Sequence, residues 1–298
     1  MNHIFIALNK ILTHLITWGN PINKKVNEVI VCITGNPGIS DFYTEFGAEL
    51  FKNTKIPVCV VGHAGHEEVP DEKSNKLKGQ EHIFNLQGQV DHKLDLITNH
   101  FSKDCKLHLI GHSIGAWMIL EMLQNNRELI DRVSSVNLLF PTVQRIAKTK
   151  NGLFLNNVIR NINFFIMILF RLLNILPASI INVILVLYMK LQSLPLYHQD
   201  RILKFLNPNV GEKVLYLAYN EMDNVQSLHC EILERIKGVT CVLYSPSDGW
   251  APLRYIEDFR QFEPELKLKQ ADAEHAFVLK SSTEIAEIVS DYIKGKAH

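Results

Sequence analysis

Residues 107–115 read Leu-His-Leu-Ile-Gly-His-Ser-Ile-Gly, an apolar strand that runs directly into Gly-x-Ser-x-Gly. This order is typical of a nucleophile elbow, in which a strand delivers a serine, here Ser113, to a sharp turn before a helix. Gly111 and Gly115 carry no side chain that would clash in such a turn. The apolar stretch 116–123 predicts the helix that follows. The position of the pentapeptide, between strand and helix, makes it the most informative feature of the chain.

Further strand-like runs occur on both sides of the elbow, and helix-length segments separate most of them. This alternation predicts βαβ units and a mostly parallel central sheet flanked by helices. A serine elbow in such a sheet indicates an α/β-hydrolase fold, and a length of 298 residues suits one domain, 1–298. The strand-like runs are 29–34, 58–61, 107–110, 133–140 and 241–245.

The first 20 residues allow two interpretations. Apolar residues at 4, 5, 8, 11, 12, 15 and 16 fit an amphipathic helix. Two strands that turn at Asn9-Lys10 also fit this pattern. Lys10 and His14 interrupt the apolar run and no small-residue cleavage site follows, so no signal peptide is predicted.

Composition excludes several classes of function. The formal net charge is zero, which argues against a nucleic-acid partner. Five cysteines, an odd number, lie far apart and mostly in strand-like runs, which predicts free thiols in a reducing compartment. The sequence contains no CxxC pair, and no Lys-Ser/Thr follows the glycine loop at 35–38, so we predict neither a metal nor another cofactor.

A serine hydroxyl needs a histidine base and an acid that orients this histidine. In α/β-hydrolases the chain order is serine, acid, histidine. Asp248 follows the run 241–245, and His275 follows the run 266–270. A capping box at 281–284 predicts that a C-terminal helix begins just after His275. Ser113, Asp248 and His275 are therefore the predicted catalytic triad.

Other interpretations of these residues remain open. Asp248 precedes a glycine and could simply form a turn, and His275 could be an ordinary loop histidine. Asp223 is the main alternative acid because it follows an apolar run. Asp272 and Glu274 are nearer to His275 in sequence, but side chains this close along the chain rarely point at the imidazole Nδ1.

The tetrahedral intermediate of acyl transfer needs two N–H donors, which form the oxyanion hole. The residue after the nucleophile supplies one, here Ile114. The loop Ile-Thr-Gly-Asn-Pro-Gly at 33–38 is placed to supply the other through the N–H of Asn36. We expect His112, within the elbow, to face away from the serine or to shape the pocket. His63 and His66 resemble a metal-binding pair, but no third ligand is evident.

The region 145–205 departs from the alternation of strands and helices. No acidic residue occurs between Asp131 and Asp200, and the stretch 158–191 is apolar except for three cations and a few polar residues. A transmembrane helix needs about 20 consecutive apolar residues, and neither half of this stretch reaches that length. Two short apolar helices hinged at Pro177 describe it better. The three cations are Arg160, Arg171 and Lys190.

This apolar helical insertion could be a lid, or a helical pair buried in a soluble enzyme. It could instead lie in a lipid surface, with its cations extending to anionic headgroups. The lack of carboxylates favours the second alternative, because an exposed lid normally carries some acids.

Several motifs together resemble the lipid droplet-associated hydrolases, and they span residues 29–293 in order. The resemblance implies an α/β-hydrolase with the Ser113–Asp248–His275 triad, residing on lipid droplets and the endoplasmic reticulum. It also implies that the apolar segment 155–192 contacts the droplet or endoplasmic reticulum surface from the cytosol, and it favours the N-terminal strand pair. The matching motifs are Gly-Asn-Pro-Gly (35–38) with Phe42-Tyr43, Gly-His-Ala-Gly-His (62–66), Leu-Gln-Gly-Gln-Val (86–90) with His92-Lys93, Leu-Ile-Gly-His-Ser-Ile-Gly (109–115), Leu-Phe-Pro-Thr (139–142), Asn151-Gly152, Asp248-Gly-Trp250 with Pro252, and His275-Ala-Phe277.

The expected function is that of a serine ester hydrolase acting on lipid esters through an acyl-enzyme. The family has been proposed to hydrolyse cholesteryl esters. The main alternative is a droplet-associated organising protein with little or no turnover. A soluble small-ester hydrolase, in which the apolar segment is only a lid, is a third possibility.

Overall fold

In the computed structural model, which describes residues 1–69 and 75–296, eight strands form a single sheet. Its strand order is β1-β2-β4-β3-β5-β6-β7-β8. Neighbouring strands from β4 to β8 are parallel, whereas β2 pairs antiparallel with both β1 and β4. The mostly parallel sheet predicted from the sequence is confirmed. The strands are β1 (Asn2–Leu8), β2 (Ile11–Trp18), β3 (Glu28–Ile33), β4 (Val58–Val61), β5 (Lys106–His112), β6 (Val133–Leu139), β7 (Thr240–Tyr244) and β8 (Lys267–Gln270).

Helices cover both faces of the sheet, because side chains of the central strands alternate between two apolar clusters. In β3, Val29, Val31 and Ile33 pack into one cluster. Ile30 and Cys32 pack into the other. The helices are α1 (Thr44–Thr54), α2 (Glu81–Phe84), α3 (Leu86–Asp95), α4 (Ile114–Asn125), α5 (Arg127–Ile130), α6 (Lys150–Phe154), α7 (Asn163–Ile175), α8 (Ala178–Leu191), α9 (Gln199–Leu206), α10 (Pro208–Asn224), α11 (Cys230–Ile236), α12 (Leu253–Ile256) and α13 (Ser282–Lys294).

The N-terminus is a β-hairpin, so the strand interpretation is confirmed and the amphipathic helix is wrong. Asn9 and Lys10 form the turn with φ of 44° and 68°. A two-residue turn with positive φ at both positions matches the twist of the strands that it joins. β2 then pairs with β4, and its side chains are buried on both faces of the sheet. An apolar spacing that fits a helix therefore arises here from two strands, one of which is buried on both sides.

The segment between β6 and β7 contains α6 to α11. Helices α7 and α8 are separated at Leu176-Pro177, and they bury only Phe170 of α7 and Ile181, Leu185 and Met189 of α8. Among the described residues, no single helix is long and apolar enough to span a membrane. The helical stretches Lys150–Ile159 and Asn163–Ile175 reach that length and composition only jointly, with a bend of 82° between them.

The C-terminal helix α13 begins at Ser282, but the predicted capping box does not form. Ser281 occupies the N-cap position without accepting a hydrogen bond through its side chain. Its backbone N–H donates to Phe277 O at 2.7 Å, because a tight helical turn over Phe277–Leu279 leads into the helix. Its φ of −121° and ψ of 24° differ from the extended backbone that an N-cap normally adopts.

All five cysteines are free thiols; Cys230 is exposed and the other four are buried.

Candidate active site

Ser113 lies between the end of β5 and the start of α4, at the carboxyl edge of the sheet. Its φ of 53° and ψ of −120° are unfavourable for a residue with a side chain. Such a conformation persists only where the surrounding structure holds it, and it is typical of functional serines on an elbow.

The elbow needs both of its glycines for steric reasons. A Cβ on Gly111 would lie 2.7 Å from the Cα of Ala116. A Cβ on Gly115 would lie 2.6 Å from the carbonyl oxygen of Ile33. Both obstacles are backbone atoms, which cannot rotate away as the end of a side chain can.

Ser113, His275 and Asp248 meet at this edge of the sheet, although they lie far apart in sequence. His275 Nε2 lies 2.9 Å from Ser113 Oγ. His275 Nδ1 lies 2.7 Å from Asp248 Oδ2, the acceptor in this pair. The imidazole thus has its proton on Nδ1 and leaves Nε2 free to accept the proton of the serine hydroxyl.

The second oxygen of Asp248 is also engaged. Oδ1 accepts hydrogen bonds from the N–H groups of Trp250 at 2.7 Å and Ala251 at 3.0 Å. Burial acts to raise the pKa of this carboxyl, but the hydrogen bonds from His275 and from the two N–H groups outweigh it and hold the pKa below its usual range. Asp248 therefore remains an anion that faces His275.

The alternative acids do not face His275. Asp223 lies on α10, where both of its oxygens accept from the guanidinium of Arg160 at 2.8 Å. Glu274 pairs with Lys280 at 3.2 Å, and Asp272 is exposed. Of these carboxylates, only that of Asp248 has a hydrogen bond to the imidazole.

The loop at 33–38 lies beside the serine, since a Cβ on Gly35 would come within 3.1 Å of Ser113 Cβ. The Asn36 side chain ties this loop to α10, where it donates to Val214 O at 3.1 Å and to Glu221 Oε1 at 2.9 Å. The N–H of Asn36 has no acceptor in the described part of the chain. Ile114 is the first residue of α4, where N–H groups have no partner within the helix.

Glu221 is a residue that the sequence reasoning missed. Burial raises the pKa of its carboxyl to about 8, although the hydrogen bond from Asn36 opposes the shift. Its place in Asn-Glu-Met-Asp-Asn, beside the considered acid Asp223, gave no sign that it faces inward. The helical period puts Glu221 on the buried side of α10 and Asp223 on the exposed side.

His112 faces the pocket and helps to shape it, as one of the two expectations had it. Its Nδ1 lies 2.5 Å from Tyr43 Oη and its Nε2 lies 2.8 Å from the carbonyl oxygen of His275. Burial, together with the nearby His275, lowers the pKa of His112 to about 3. Tyr43, which sequence reasoning did not assign to the site, was visible only as part of the Phe42-Tyr43 motif.

A cavity of about 200 Å³ opens next to His275. Phe42 on its wall stacks on His198, which precedes α9. His198 Nε2 also donates to the carbonyl oxygen of Leu279 at 3.1 Å. The segment before α9 therefore reaches the rim of the cavity. The lining residues are Gly35, Asn36, Pro37, Phe42, Tyr43, His112, Trp250, His275, Ala276, Val278 and Leu279.

Comparison with known proteins places this chain in a family. The model of the lipid droplet-associated hydrolase family matches residues 26–278. The chain belongs to this family. It is 38% identical to the lipid droplet-associated hydrolase of Drosophila melanogaster over an alignment that is 305 residues long with its gaps and covers 99% of this chain and 98% of the fly protein. The human protein of the same name is 32% identical over 283 residues, which cover 91% of this chain and 86% of the human protein.

Solved structures agree on the fold. An esterase from Exiguobacterium antarcticum superposes with a TM-score of 0.66 at 12% identity, over 98% of this chain and 100% of that one. A meta-cleavage product hydrolase superposes with a TM-score of 0.65 at 15% identity, over 98% of each chain. At such low identity these neighbours establish the α/β-hydrolase fold alone.

The Gly-His-Ala-Gly-His motif supports the loop beside Ser113. The N–H of Gly38 donates to His66 Nδ1 at 2.9 Å. A Cβ on Gly38 would lie 2.4 Å from the ring of His63. His66 thus uses one ring nitrogen to hold the loop, and the described residues supply no third ligand beside this pair.

Elsewhere, within the described residues, His3, His14 and Asp41 bring their ligand atoms within 4.8 Å of one another. Asp41 is ion-paired with Lys204, and His3 Nδ1 lies at the hydrogen-bond distance of 2.8 Å from His14 Nε2. These contacts account for the cluster without an ion.

Proposed function

We propose that the chain is a serine ester hydrolase that acts on lipid esters through Ser113, His275 and Asp248. The observation that carries the proposal is the pair of contacts on His275, 2.9 Å from Nε2 to the serine hydroxyl and 2.7 Å from Nδ1 to the carboxylate. A base that is oriented by an anion and touches a hydroxyl can activate that hydroxyl at neutral pH.

In the first half-reaction Ser113 Oγ attacks the ester carbonyl carbon while His275 Nε2 takes the hydroxyl proton. The carbonyl oxygen becomes an oxyanion, and the N–H groups of Asn36 and Ile114 are its proposed donors. When the tetrahedral intermediate collapses, the proton on Nε2 passes to the leaving alkoxide and an acyl-serine remains. In the second half-reaction water attacks the acyl-serine while His275 Nε2 takes a proton from it. When this second intermediate collapses, His275 gives that proton to Ser113 Oγ, the bond between Oγ and the acyl carbon breaks, and the fatty acid leaves.

The proposed place of action is the surface of lipid droplets and the cytosolic face of the endoplasmic reticulum. The names of the relatives support the droplet, and α7 and α8 support a lipid contact through residues 155–192. The side chains of Phe164 and Phe165 are 70% and 67% exposed, and that of Leu191 is 82% exposed. An apolar surface of this extent marks an interaction site. Lipid esters, sterol esters among them, are the substrates that such a location supplies.

Labelling with a fluorophosphonate probe tests the enzyme directly. We expect the wild-type protein and a Ser227→Ala control, which alters an exposed serine, to be labelled. Ser113→Ala should not be labelled. Asp248→Asn should lower kcat by about 10⁴-fold, because an amide at this position no longer selects the proton on Nδ1. Turnover is then measured on esters that range from short acyl chains to sterol esters.

The same exposed apolar surface also suits an organising protein of lipid droplets with little turnover, and this is the second candidate. It predicts droplet binding without fluorophosphonate labelling. A wild-type protein that neither reacts with the probe nor hydrolyses any ester of the panel would refute the proposed hydrolase in favour of this function.

A further inference from the structure

A chain of hydrogen bonds links the loop at 35–38 to the residue proposed as the base. The N–H of Gly35 lies 2.7 Å from Tyr43 Oη, which lies 2.5 Å from His112 Nδ1. His112 Nε2 lies 2.8 Å from the carbonyl oxygen of His275. Since His112 immediately precedes Ser113, the chain passes through the elbow itself.

Every proton in this chain can be assigned. The carbonyl oxygen of His275 can only accept, so His112 Nε2 must carry a hydrogen. His112 is neutral, because burial depresses its pKa to about 3, and Nδ1 is therefore an acceptor. The Tyr43 hydroxyl must then donate to Nδ1, which leaves its oxygen to accept from the N–H of Gly35. The hydrogen bonds consequently run in one direction, from Gly35 to His275.

The side chains of Tyr43 and His112, which form this series of hydrogen bonds, are tightly packed. Tyr43 is 2% exposed and His112 is 5% exposed. The ring of Phe277 packs edge-on against both, with centroid distances of 6.3 Å to Tyr43 and 5.0 Å to His112. A Cβ on Gly35 would lie 2.9 Å from His112 Nδ1, so the loop approaches the imidazole as closely as only glycine permits.

We propose that Tyr43 and His112 are positioning residues, which together hold the Gly35–Asn36 loop and the His275 backbone in register with Ser113. This inference rests on the proposed hydrolase function. In that reaction the N–H of Asn36 must reach the oxyanion while the imidazole of His275 reaches the Ser113 hydroxyl, and these two groups lie on separate loops. The series of hydrogen bonds through His112 fixes the positions of both loops relative to the elbow that carries Ser113.

Removing the hydrogen bonds made by Tyr43 and His112 should slow the chemical step and leave substrate binding nearly unchanged. Tyr43→Phe retains the ring that lines the cavity and deletes only the hydroxyl. We expect kcat to fall about 10- to 100-fold, because a small misplacement of the reacting groups lowers the rate by about this factor. KM should change by less than about twofold. His112→Leu should have at least this effect. His112→Gln can still donate an N–H to the His275 carbonyl and should recover part of the rate.

Tyr292→Phe is the matched control. Tyr292 is also a buried tyrosine, on α13, and its hydroxyl has no partner in the described structure. Its substitution should leave kcat and KM at wild-type values. The measurements use the full chain with p-nitrophenyl butyrate as substrate, and thermal unfolding checks that each variant is folded.

The tautomer of His112 provides a second readout, which does not depend on turnover. Nitrogen NMR of the histidine-labelled wild-type protein should show a neutral imidazole with its hydrogen on Nε2 and an acceptor Nδ1. In Tyr43→Phe the Nδ1 signal should lose the shift due to its hydrogen bond.

Wild-type kcat in both Tyr43→Phe and His112→Leu, or a hydrogen on Nδ1 of His112, would overturn the inference while leaving the proposed hydrolase intact. A wild-type protein without esterase activity or fluorophosphonate labelling would instead overturn the proposed function, and with it the catalytic part of the inference.

Discussion

At the scale of single residues, Ser113 shows how function and stability compete. Its φ of 53° places a side chain in a conformation that glycine adopts more readily. Strain of this kind typically costs about 1–3 kcal/mol and is maintained where a reactive group must project from a sharp turn. The alcohol is thus held in place by its neighbours, above all by the tight packing at Gly111 and Gly115.

Relieving this strain should stabilise the protein. We expect Ser113→Gly to have a free energy of unfolding about 1 kcal/mol higher than Ser113→Ala, because the relief of strain exceeds the extra entropy of glycine in the unfolded chain. Both variants lack the hydroxyl, so their difference isolates the backbone. Denaturant unfolding measures it, and equal stabilities would contradict the strain argument.

The carboxyl of Glu221 makes the free energy of unfolding depend on pH, and the direction of this dependence follows from its raised pKa. Its carboxyl has a pKa of about 8 in the folded state against 4.5 as the unperturbed value. Between these pH values the folded protein holds a proton that the unfolded chain releases, so the free energy of unfolding falls as the pH rises. The slope from this single group is about 1.4 kcal/mol per pH unit.

Glu221→Gln should remove that slope. The amide oxygen of glutamine can still accept from Asn36, and glutamine does not titrate. The variant should match the wild type near pH 4.5 and exceed its stability by a few kcal/mol near pH 8. Unfolding curves across this range test the expectation, with Glu212→Gln, an exposed change on the same helix, as control. A wild-type slope in Glu221→Gln would refute the assignment.

At the scale of elements, α7 and α8 are unusual because they contain more apolar residues than the protein buries. Phe170 packs against Phe205 of α9, and three residues of α8 are buried. Most of the remaining apolar side chains of the two helices are exposed. An exposed apolar surface of this kind marks an interaction site, and we propose that a lipid monolayer covers it, as the name of the family suggests.

A double charge substitution should detach the protein from lipid. Burying a phenylalanine side chain contributes about 1.5–3 kcal/mol, so Phe164→Glu with Phe165→Glu should weaken partitioning at least about 100-fold. Flotation with triacylglycerol droplets coated with phosphatidylcholine measures this.

The matched control is Leu253→Glu, which makes the same kind of change at an exposed leucine of α12. Unchanged flotation of the double variant would contradict the lipid contact. Hydrolysis of a soluble short ester should be the same in all three proteins, because the substitutions lie on the outer surface.

At the scale of the whole molecule, the sheet is covered on both faces and the N-terminal hairpin is an integral part of it. Leu15 and Ile16 are neighbours on β2, yet Leu15 packs into one apolar cluster and Ile16 into the other. The hairpin thus closes both halves of the core along the edge of β4.

Leu15→Ala and Ile16→Ala should therefore each lower the free energy of unfolding by about 2–5 kcal/mol, as truncations of fully buried side chains do. Phe5→Ala, on the half-exposed outer strand β1, should cost much less. Denaturant midpoints give the comparison. Losses for Leu15 and Ile16 as small as that for Phe5 would show that the hairpin is a dispensable appendage.

The elbow, the order of the strands along the chain and the order of Ser113, Asp248 and His275 could be predicted from the sequence, because each of these features depends on a short run of contiguous residues. A strand, a turn and a helix follow one another in 107–123, and the other two residues each follow a strand-like run. The hairpin stayed ambiguous because periods of 3.6 and of 2 both fitted its few apolar residues, until positive φ at Asn9 and Lys10 decided the matter. The prediction of a capping box at the start of α13 was wrong because the helical turn over Phe277–Leu279 sets the backbone conformation of Ser281, which the motif at 281–284 does not reveal.

Only the tertiary structure decided which polar groups meet. Asn36 and Glu221 are 185 residues apart, and His112 and His275 are 163 apart, so no local pattern relates them. Asn36 follows β3, His112 ends β5 and His275 follows β8, and the parallel sheet brings the carboxyl ends of these strands to one edge, where α10 contributes Glu221. Buried polar groups must find partners wherever the fold brings them, and the sequence alone does not record which partner each of them finds.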